Sequence, residues 1–259
     1  MLNRIWRAFG VSLAFALFGL GGIALGFVAM PLLRMTTFDA KTLRRRTQRF
    51  VHQCFRGYIA LWQGLGLFSA ELHHLERLRA PVGPRGRLII ANHPSLIDVV
   101  FLVSLLPEVD CIVKRSLWRN PFLRWPVVWA RYIPNQAGET LVQACVERLH
   151  AGRILLVFPE GTRSRPGEPL LMQRGAAQIA LAAGCEIVPV LVRCEPEFLS
   201  KRQWPWQAPP VKPHFTIAIE AALTPRAEPL PGEPNALAAR RLTREFLAWY
   251  TQKLGITPL

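Results

Sequence analysis

Between Ala8 and Leu33 the chain carries no charged side chain. About 20 consecutive apolar residues cross the hydrocarbon core of a bilayer, so this run is long enough for a membrane segment. A cleaved secretory signal is the competing reading. Its apolar region spans about 7–15 residues and ends at a small-residue cleavage site. Here the run is longer and passes into Pro31-Leu32-Leu33-Arg34, so a retained membrane segment is expected. Gly19, Gly21, Gly22 and Gly26 lie within it. Gly22 and Gly26 have the spacing that lets helices approach closely. Equally, glycines loosen a lipid-facing helix, which leaves a re-entrant insertion open beside a full span.

Positive charge follows at once, with Lys41, Arg44, Arg45, Arg46, Arg49 and Arg56 opposed only by Asp39. Phe50, Val51, Cys54, Tyr58, Ile59, Leu61 and Trp62 recur among them at helical spacing. This pattern predicts an amphipathic helix over roughly 39–64, lying on a membrane surface. The whole chain of 259 residues has a net charge of +15 and is 51% hydrophobic. So apolar a composition argues against a soluble nucleic-acid binder, and no nucleic-acid partner is expected. Anionic membrane lipids are the expected partner, each nearby cation contributing about 1 kcal/mol. Basic residues just after a span mark the cytoplasmic side. Arginine outnumbers lysine, as in high-GC bacterial coding, so the expected location is the inner membrane, with the rest of the chain on its cytoplasmic face.

After Gly64 the pattern changes. Strand-like runs at 87–92, 110–114, 153–158, 186–192 and 214–220 alternate with helix-like runs at 95–106, near 121–131, at 138–151, 172–184 and 235–254. An earlier alternation at Phe68, Ala70 and Leu72 suggests a first strand. Such alternation predicts the α/β class: a mainly parallel sheet flanked by helices, preceded by N-terminal membrane-associated helices. The expected division is 1–64 for the membrane segment and basic helix, and 65–259 for the α/β domain. A proline-rich stretch at 204–213 and a loop at 225–234 separate the last elements. The five cysteines form no CxxC pair, which favours reduced thiols over metal or disulfide roles.

Two stretches carry chemistry. Asn92-His93-Pro94-Ser95-Leu96-Ile97-Asp98 follows the strand-like Leu88-Ile89-Ile90-Ala91 and leads into an apolar helix-like run. Histidine titrates near neutral pH and exchanges protons with a hydroxyl. An aspartate five residues on can fix the ring tautomer and stabilise the imidazolium. Backbone N–H groups at the start of the following helix are candidates to steady a developing oxyanion. The second stretch, Pro159-Glu160-Gly161-Thr162-Arg163-Ser164, closes the strand-like 154–158. Gly161 permits a tight turn. The carboxyl ends of strands are where open α/β sheets place ligands, and Arg163 is a fork suited to phosphate or carboxylate.

At these two stretches the chain resembles the glycerolipid acyltransferase superfamily, whose best-known members are the 1-acylglycerol-3-phosphate acyltransferases. Asn92-His93 through Asp98 is similar to that family's first motif, and Phe158 through Ser164 to its third. Lys114-Arg115-Ser116-Leu117 with Pro121 resembles the start of the second, and Ile187-Val188-Pro189-Val190 the fourth. The resemblance covers roughly residues 65–222. It implies an O-acyltransferase of phospholipid biosynthesis that moves a fatty-acyl group from acyl-CoA or acyl-carrier protein to a lysolipid hydroxyl. It also implies His93 and Asp98 as the catalytic residues, and Lys114, Glu160, Gly161, Thr162 and Arg163 as the residues that bind the acceptor. No metal or redox cofactor is implied. The chain departs from the family where the second motif usually ends in an aromatic-Ile-Asp-Arg sequence, reading Tyr132-Ile133-Pro134-Asn135 instead. Another cation, such as Lys114, Arg115 or Arg131, then serves the acceptor phosphate, or the acceptor is a different lysolipid.

Each of these residues has a plainer reading. His93 can be a satisfied core histidine, and Asp98 a first-turn residue facing the helix dipole. Glu160 and Arg163 can be a turn-stabilising pair, and Lys114 an ordinary surface lysine. Trp118, Phe122, Trp125, Trp129 and Tyr132 fit an aromatic core helix, a bilayer interface lining the acyl entry, or a stacking surface. A non-catalytic protein of the same fold, binding anionic membranes, is the alternative to the enzyme.

Overall fold

In the computed structural model, residues 2–121, 123–136, 138–165, 167–204, 207–223 and 233–256 are described. Helices come first: α1 (Leu2–Ala24), a π-helical turn (Leu25–Ala29), α2 (Met30–Met35) and α3 (Ala40–Gly64). Then follow β1 (Ser69–His73), α4 (Glu76–Arg79), β2 (Arg87–Ala91), α5 (Asp98–Leu105) and β3 (Asp110–Lys114). A 3-10 turn (Arg115–Arg119) leads to α6 (Arg124–Trp129), β4 (Ile133–Asn135), α7 (Glu139–His150) and β5 (Ile154–Val157). The chain closes with α8 (Gly175–Ala183), β6 (Glu186–Glu195), β7 (His214–Ile219) and α9 (Asn235–Leu254). The α/β class with mainly parallel strands, flanked by helices and preceded by N-terminal helices, is the one observed.

Two compact units arise, each from three segments. The division expected at residue 64 coincides with the end of α3, whereas the units interleave along the chain. The first comprises 1–69, 99–136 and 204–212. Asp39 caps α3 by accepting from the Thr42 N–H at 2.7 Å. The apolar side of α3 meets α1 through Phe15 on Trp62 and Phe18 on Tyr58, and the Tyr58 hydroxyl donates to the Ala14 carbonyl. Gln48 joins α3 to β3 and to the end of α6, donating to Asp110 Oδ1 at 2.9 Å and to the Ala130 carbonyl at 3.0 Å. Arg7 is buried, its guanidinium donating to the carbonyls of Pro209 and Pro210.

The other side of α1 is bare, with Ile5, Phe9, Leu13, Leu17, Leu20 and Ile23 exposed. Helical residues Asn3–Met35 are long and apolar enough to cross a membrane, with a mean hydropathy of 2.2 in their best window. Only 17% of that window is buried, which separates this helix from the core helix of a soluble protein. Gly26 packs under Trp125, where an added Cβ would lie 3.0 Å from Cδ1, whereas Gly19 and Gly21 face open space. The close approach expected of Gly26 is thus found, against Trp125. Strands β3 and β4 pair in parallel, with Lys114 in register with Asn135.

The second unit comprises 70–98, 137–203 and 213–259. Its strands run in the order β1-β7-β6-β2-β5. β2 lies parallel to both β5 and β6, and β7 is antiparallel to β6. Every residue of β2 is buried, as a central parallel strand requires. Helix α7 packs on β5 and on α8, and α9 packs on α8 and β6. The Tyr250 hydroxyl of α9 donates to the Ile90 carbonyl at 2.7 Å, close to where β2 ends.

Candidate active site

The first motif begins where the β2 ladder stops. Ala91 is the last residue of β2 in register with β6, opposite Val190. Asn92 then continues the pairing with its side chain: Nδ2 donates to the Val192 carbonyl, and Oδ1 accepts from the Val192 N–H, both at 2.8 Å. An amide copies the donor and acceptor of a peptide group, so the main chain is free to turn while the sheet stays satisfied. Residue 93 thus leaves the sheet edge in a set direction.

His93 Nδ1 lies 3.0 Å from Asp98 Oδ2. The aspartate side chain is fully buried and the histidine side chain 15% exposed, so the pair opens to solvent through the ring alone. Asp98 Oδ2 also accepts from the Ser95 N–H at 2.7 Å, which closes the loop on itself. An ionised Asp98 accepts a hydrogen bond from Nδ1–H, which keeps the proton on Nδ1 and leaves Nε2 as the basic nitrogen. Burial pushes the Asp98 carboxyl above its ordinary value, while the His93 hydrogen bond, the Ser95 N–H and the Arg163 charge pull it back. Phe158 packs against the imidazole with ring centroids 4.5 Å apart.

The helix after this loop begins at Asp98, three residues later than the sequence pattern predicts. The expected oxyanion donors therefore fare differently. The Ser95 N–H is taken by Asp98, and the Leu96 N–H donates to the Leu199 carbonyl at 3.0 Å.

The third motif wraps around the histidine. Gly161 adopts φ +68 in a turn closed by its N–H to the Phe158 carbonyl, a conformation that favours glycine. Glu160 is buried, at 7% exposure. Its Oε1 accepts from the His93 N–H at 2.8 Å and from Ser164 Oγ at 2.9 Å. The Ser164 N–H in turn donates to the His93 carbonyl at 2.8 Å. Burial pushes the Glu160 carboxyl up, against the pull of those two hydrogen bonds and of the His93 charge. Arg163 is half-buried, and its Nη1 donates to the carbonyls of Leu199 and Ser200. Its Nε and Nη2 have no acceptor among the described residues. Thr162 is exposed.

His93, Asp98, Glu160, Gly161, Thr162 and Arg163 thus belong to one unit, the first two in direct contact. Lys114 ends β3 in the other unit, with an exposed side chain. Of the aromatic set, Trp125 and Trp129 are in tilted ring contact with centroids 5.7 Å apart, and Arg124 lies over Trp125 at 5.0 Å. Phe122 lies outside the described residues, as does most of the loop expected at 225–234. Asn92, Phe158 and Ser164 were not among the expected site residues. All three sit inside the motifs, and that position was the available signal.

The family model described as Acyltransferase matches residues 69–193. A protein named 1-acyl-sn-glycerol-3-phosphate acyltransferase from Helicobacter pylori is 29% identical over 177 residues, covering 66% of this chain and 68% of that one. The chloroplastic 1-acyl-sn-glycerol-3-phosphate acyltransferase LPAT1 of Arabidopsis thaliana is 27% identical over 143 residues, 52% of this chain. That match spans only 40% of the Arabidopsis protein's length. Among solved structures, the crystal structure of the 1-acyl-sn-glycerophosphate (LPA) acyltransferase PlsC from Thermotoga maritima superposes with a TM-score of 0.68. It covers 100% of this chain and 98% of that one, at 16% identity, which is a likeness of fold.

Proposed function

We propose that this chain, which belongs to the acyltransferase family, moves a fatty-acyl group from acyl-CoA or acyl-carrier protein to a lysolipid hydroxyl, with 1-acylglycerol-3-phosphate as the leading acceptor. The observation that carries the reading is the 3.0 Å contact between His93 Nδ1 and a fully buried Asp98. His93 Nε2 takes the proton of the acceptor hydroxyl as its oxygen attacks the thioester carbonyl. The tetrahedral intermediate collapses with loss of the thiolate, which receives the proton from the imidazolium. Asp98 holds the tautomer and offsets the imidazolium charge. The acceptor itself is the nucleophile, so no acyl-enzyme forms.

The N–H groups of Arg163 that the 199–200 carbonyls leave unused are suited to the acceptor phosphate. Thr162 and the Gly161 turn are exposed beside it in sequence. Lys114, in the other unit, is in register with Asn135, which stands at the family's usual arginine position. Loss of that arginine keeps another lysolipid, such as a lyso-aminolipid, as the alternative acceptor. The bare apolar side of α1 and the basic α3 in the same unit support attachment to an anionic bilayer, here the cytoplasmic face of an inner membrane.

The test is incubation of the purified protein with labelled acyl-CoA or acyl-carrier protein and a panel of lysolipids. Ester product from one acceptor, lost in His93→Ala while vesicle binding persists, is the expected result. Product formation undiminished in His93→Ala would overturn the mechanism, and no product from any acceptor would favour a membrane-binding protein without catalysis.

A further inference from the structure

The His93 peptide group is gripped from both sides by the third motif. Its N–H donates to Glu160 Oε1 at 2.8 Å, and its carbonyl accepts from the Ser164 N–H at 2.8 Å. Ser164 Oγ donates to the same Glu160 oxygen at 2.9 Å, so the two gripping residues are also tied to each other. The ring rests on Phe158 of the same segment. Glu160 is buried, and one of its oxygens already serves two donors. A buried carboxylate is also a poor ligand for a phosphate-bearing lipid, since like charges repel.

We infer that Glu160 and Ser164 are positioning residues that hold the catalytic histidine by its main chain, rather than residues that bind the acceptor. This rests on the reading of His93 as the base. The tautomer and the tilt of the imidazole are set by Asp98; the position of its backbone is set by Glu160 and Ser164. Both are needed, because a misplacement of about 1 Å at a reacting group costs on the order of 100-fold in rate. A carboxylate suits the task because its bond to the peptide N–H is charge-assisted and it accepts a second donor without turning. Glutamine keeps an oxygen at the same place, whereas alanine leaves the His93 N–H with no acceptor.

The test compares Glu160→Ala, Glu160→Gln and Ser164→Ala by steady-state kinetics with the preferred lysolipid, each rate divided by the folded fraction from thermal melting. Positioning predicts that Glu160→Ala lowers kcat by about 100-fold, with the acceptor KM within about twofold of the parent. Glu160→Gln should restore kcat to within about tenfold, and Ser164→Ala should fall between the two, because the serine backbone N–H remains. A raised acceptor KM with unchanged kcat would overturn the inference and return Glu160 to acceptor binding. If Glu160→Ala fails to fold, Glu160→Gln and Ser164→Ala decide by the same split between kcat and KM. His93→Ala, run in parallel, keeps the two readings apart. If it retains activity, the base assignment has failed; if it is dead while Glu160→Ala alters KM alone, only the positioning role has failed.

Discussion

Replacing Asn92 with alanine removes both hydrogen bonds by which its amide extends β2 toward Val192. Asn92 is 2% exposed and Val192 1% exposed, so water cannot take over as partner. The Val192 N–H and C=O are each left without that partner, at a cost of about 1–3 kcal/mol apiece. Some relaxation is to be expected at the end of a strand, so the sum should fall at roughly 2–5 kcal/mol. That is a large part of the 5–15 kcal/mol that holds a typical domain together. The assay is urea unfolding in detergent micelles, followed by far-UV circular dichroism, with the shift in midpoint converted through a shared m-value. Asn92→Asp is the companion variant. Its carboxylate can accept the Val192 N–H but presents a second acceptor to the Val192 carbonyl, so it should also destabilise, more strongly at neutral than at acid pH. Activity per folded molecule should fall in both, because His93 is the next residue. A loss of less than about 1 kcal/mol in Asn92→Ala would refute the claim that the amide completes the ladder.

Further expectations concern other positions. Burial raises the folded-state value of Asp98 above its unfolded one, so its contribution to stability is fully present below the unfolded value and is lost as pH rises through the folded one. Asp98→Asn should therefore melt higher than the parent at neutral pH, with a smaller difference in acid, while acyl transfer falls by about 10³–10⁴-fold; a lower melting point at neutral pH would count against it. Gly86 has φ +73, and an added Cβ would lie 2.5 Å from the carbonyl oxygens of both Leu149 and Arg153, so Gly86→Ala should lower the unfolding free energy by about 3 kcal/mol, read from the urea midpoint. Gly26→Val should destabilise by about 1–3 kcal/mol through the clash with Trp125, whereas Gly19→Ala, which meets open space, should be neutral or stabilising in the same melt.

Much of the fold was legible because the strands are central and apolar. The runs predicted at 110–114 and 235–254 match β3 and α9, and those predicted at 87–92 and 214–220 are each one residue longer than the observed strands. The short strand β4 was not, since Ile133-Pro134-Asn135 contains a proline and becomes a strand only through its pairing with β3. The run predicted from 95 becomes helix only at Asp98, because the Ser95 N–H is turned to the Asp98 carboxylate and the chain loops between them. Within the site, the His93–Asp98 contact follows from local spacing at a turn. The grip on the His93 peptide does not, because it joins residues 67 apart and depends on where β5 delivers its loop. Arg163 illustrates the same limit. Its chemistry was readable, but the diversion of Nη1 to the 199–200 carbonyls is a tertiary fact.

Two carboxyl groups, Asp98 and Glu160, are raised by burial around one imidazole, and the Asp98 charge raises Glu160 further. Asp98 Oδ1 is buried without a hydrogen-bond partner among the described residues, so its charge is poorly compensated while the ring is neutral. When the ring gains a proton, both carboxylates gain a cation beside them. Under the proposed base role of His93, the site is then better matched to the charge of proton transfer than to the resting state, which is the direction that lowers a barrier. The cost should appear in stability. Asp98→Asn and Glu160→Gln should each raise the melting temperature at neutral pH, and each should also relieve the repulsion between the two groups. The double variant cannot relieve that repulsion twice, so its gain should be smaller than the sum of the single gains. Melting curves of the four proteins at one pH measure the difference directly. Additive gains would mean that the carboxylates do not sense one another, and that Glu160 holds His93 by its hydrogen bonds without contributing to the field the ring experiences.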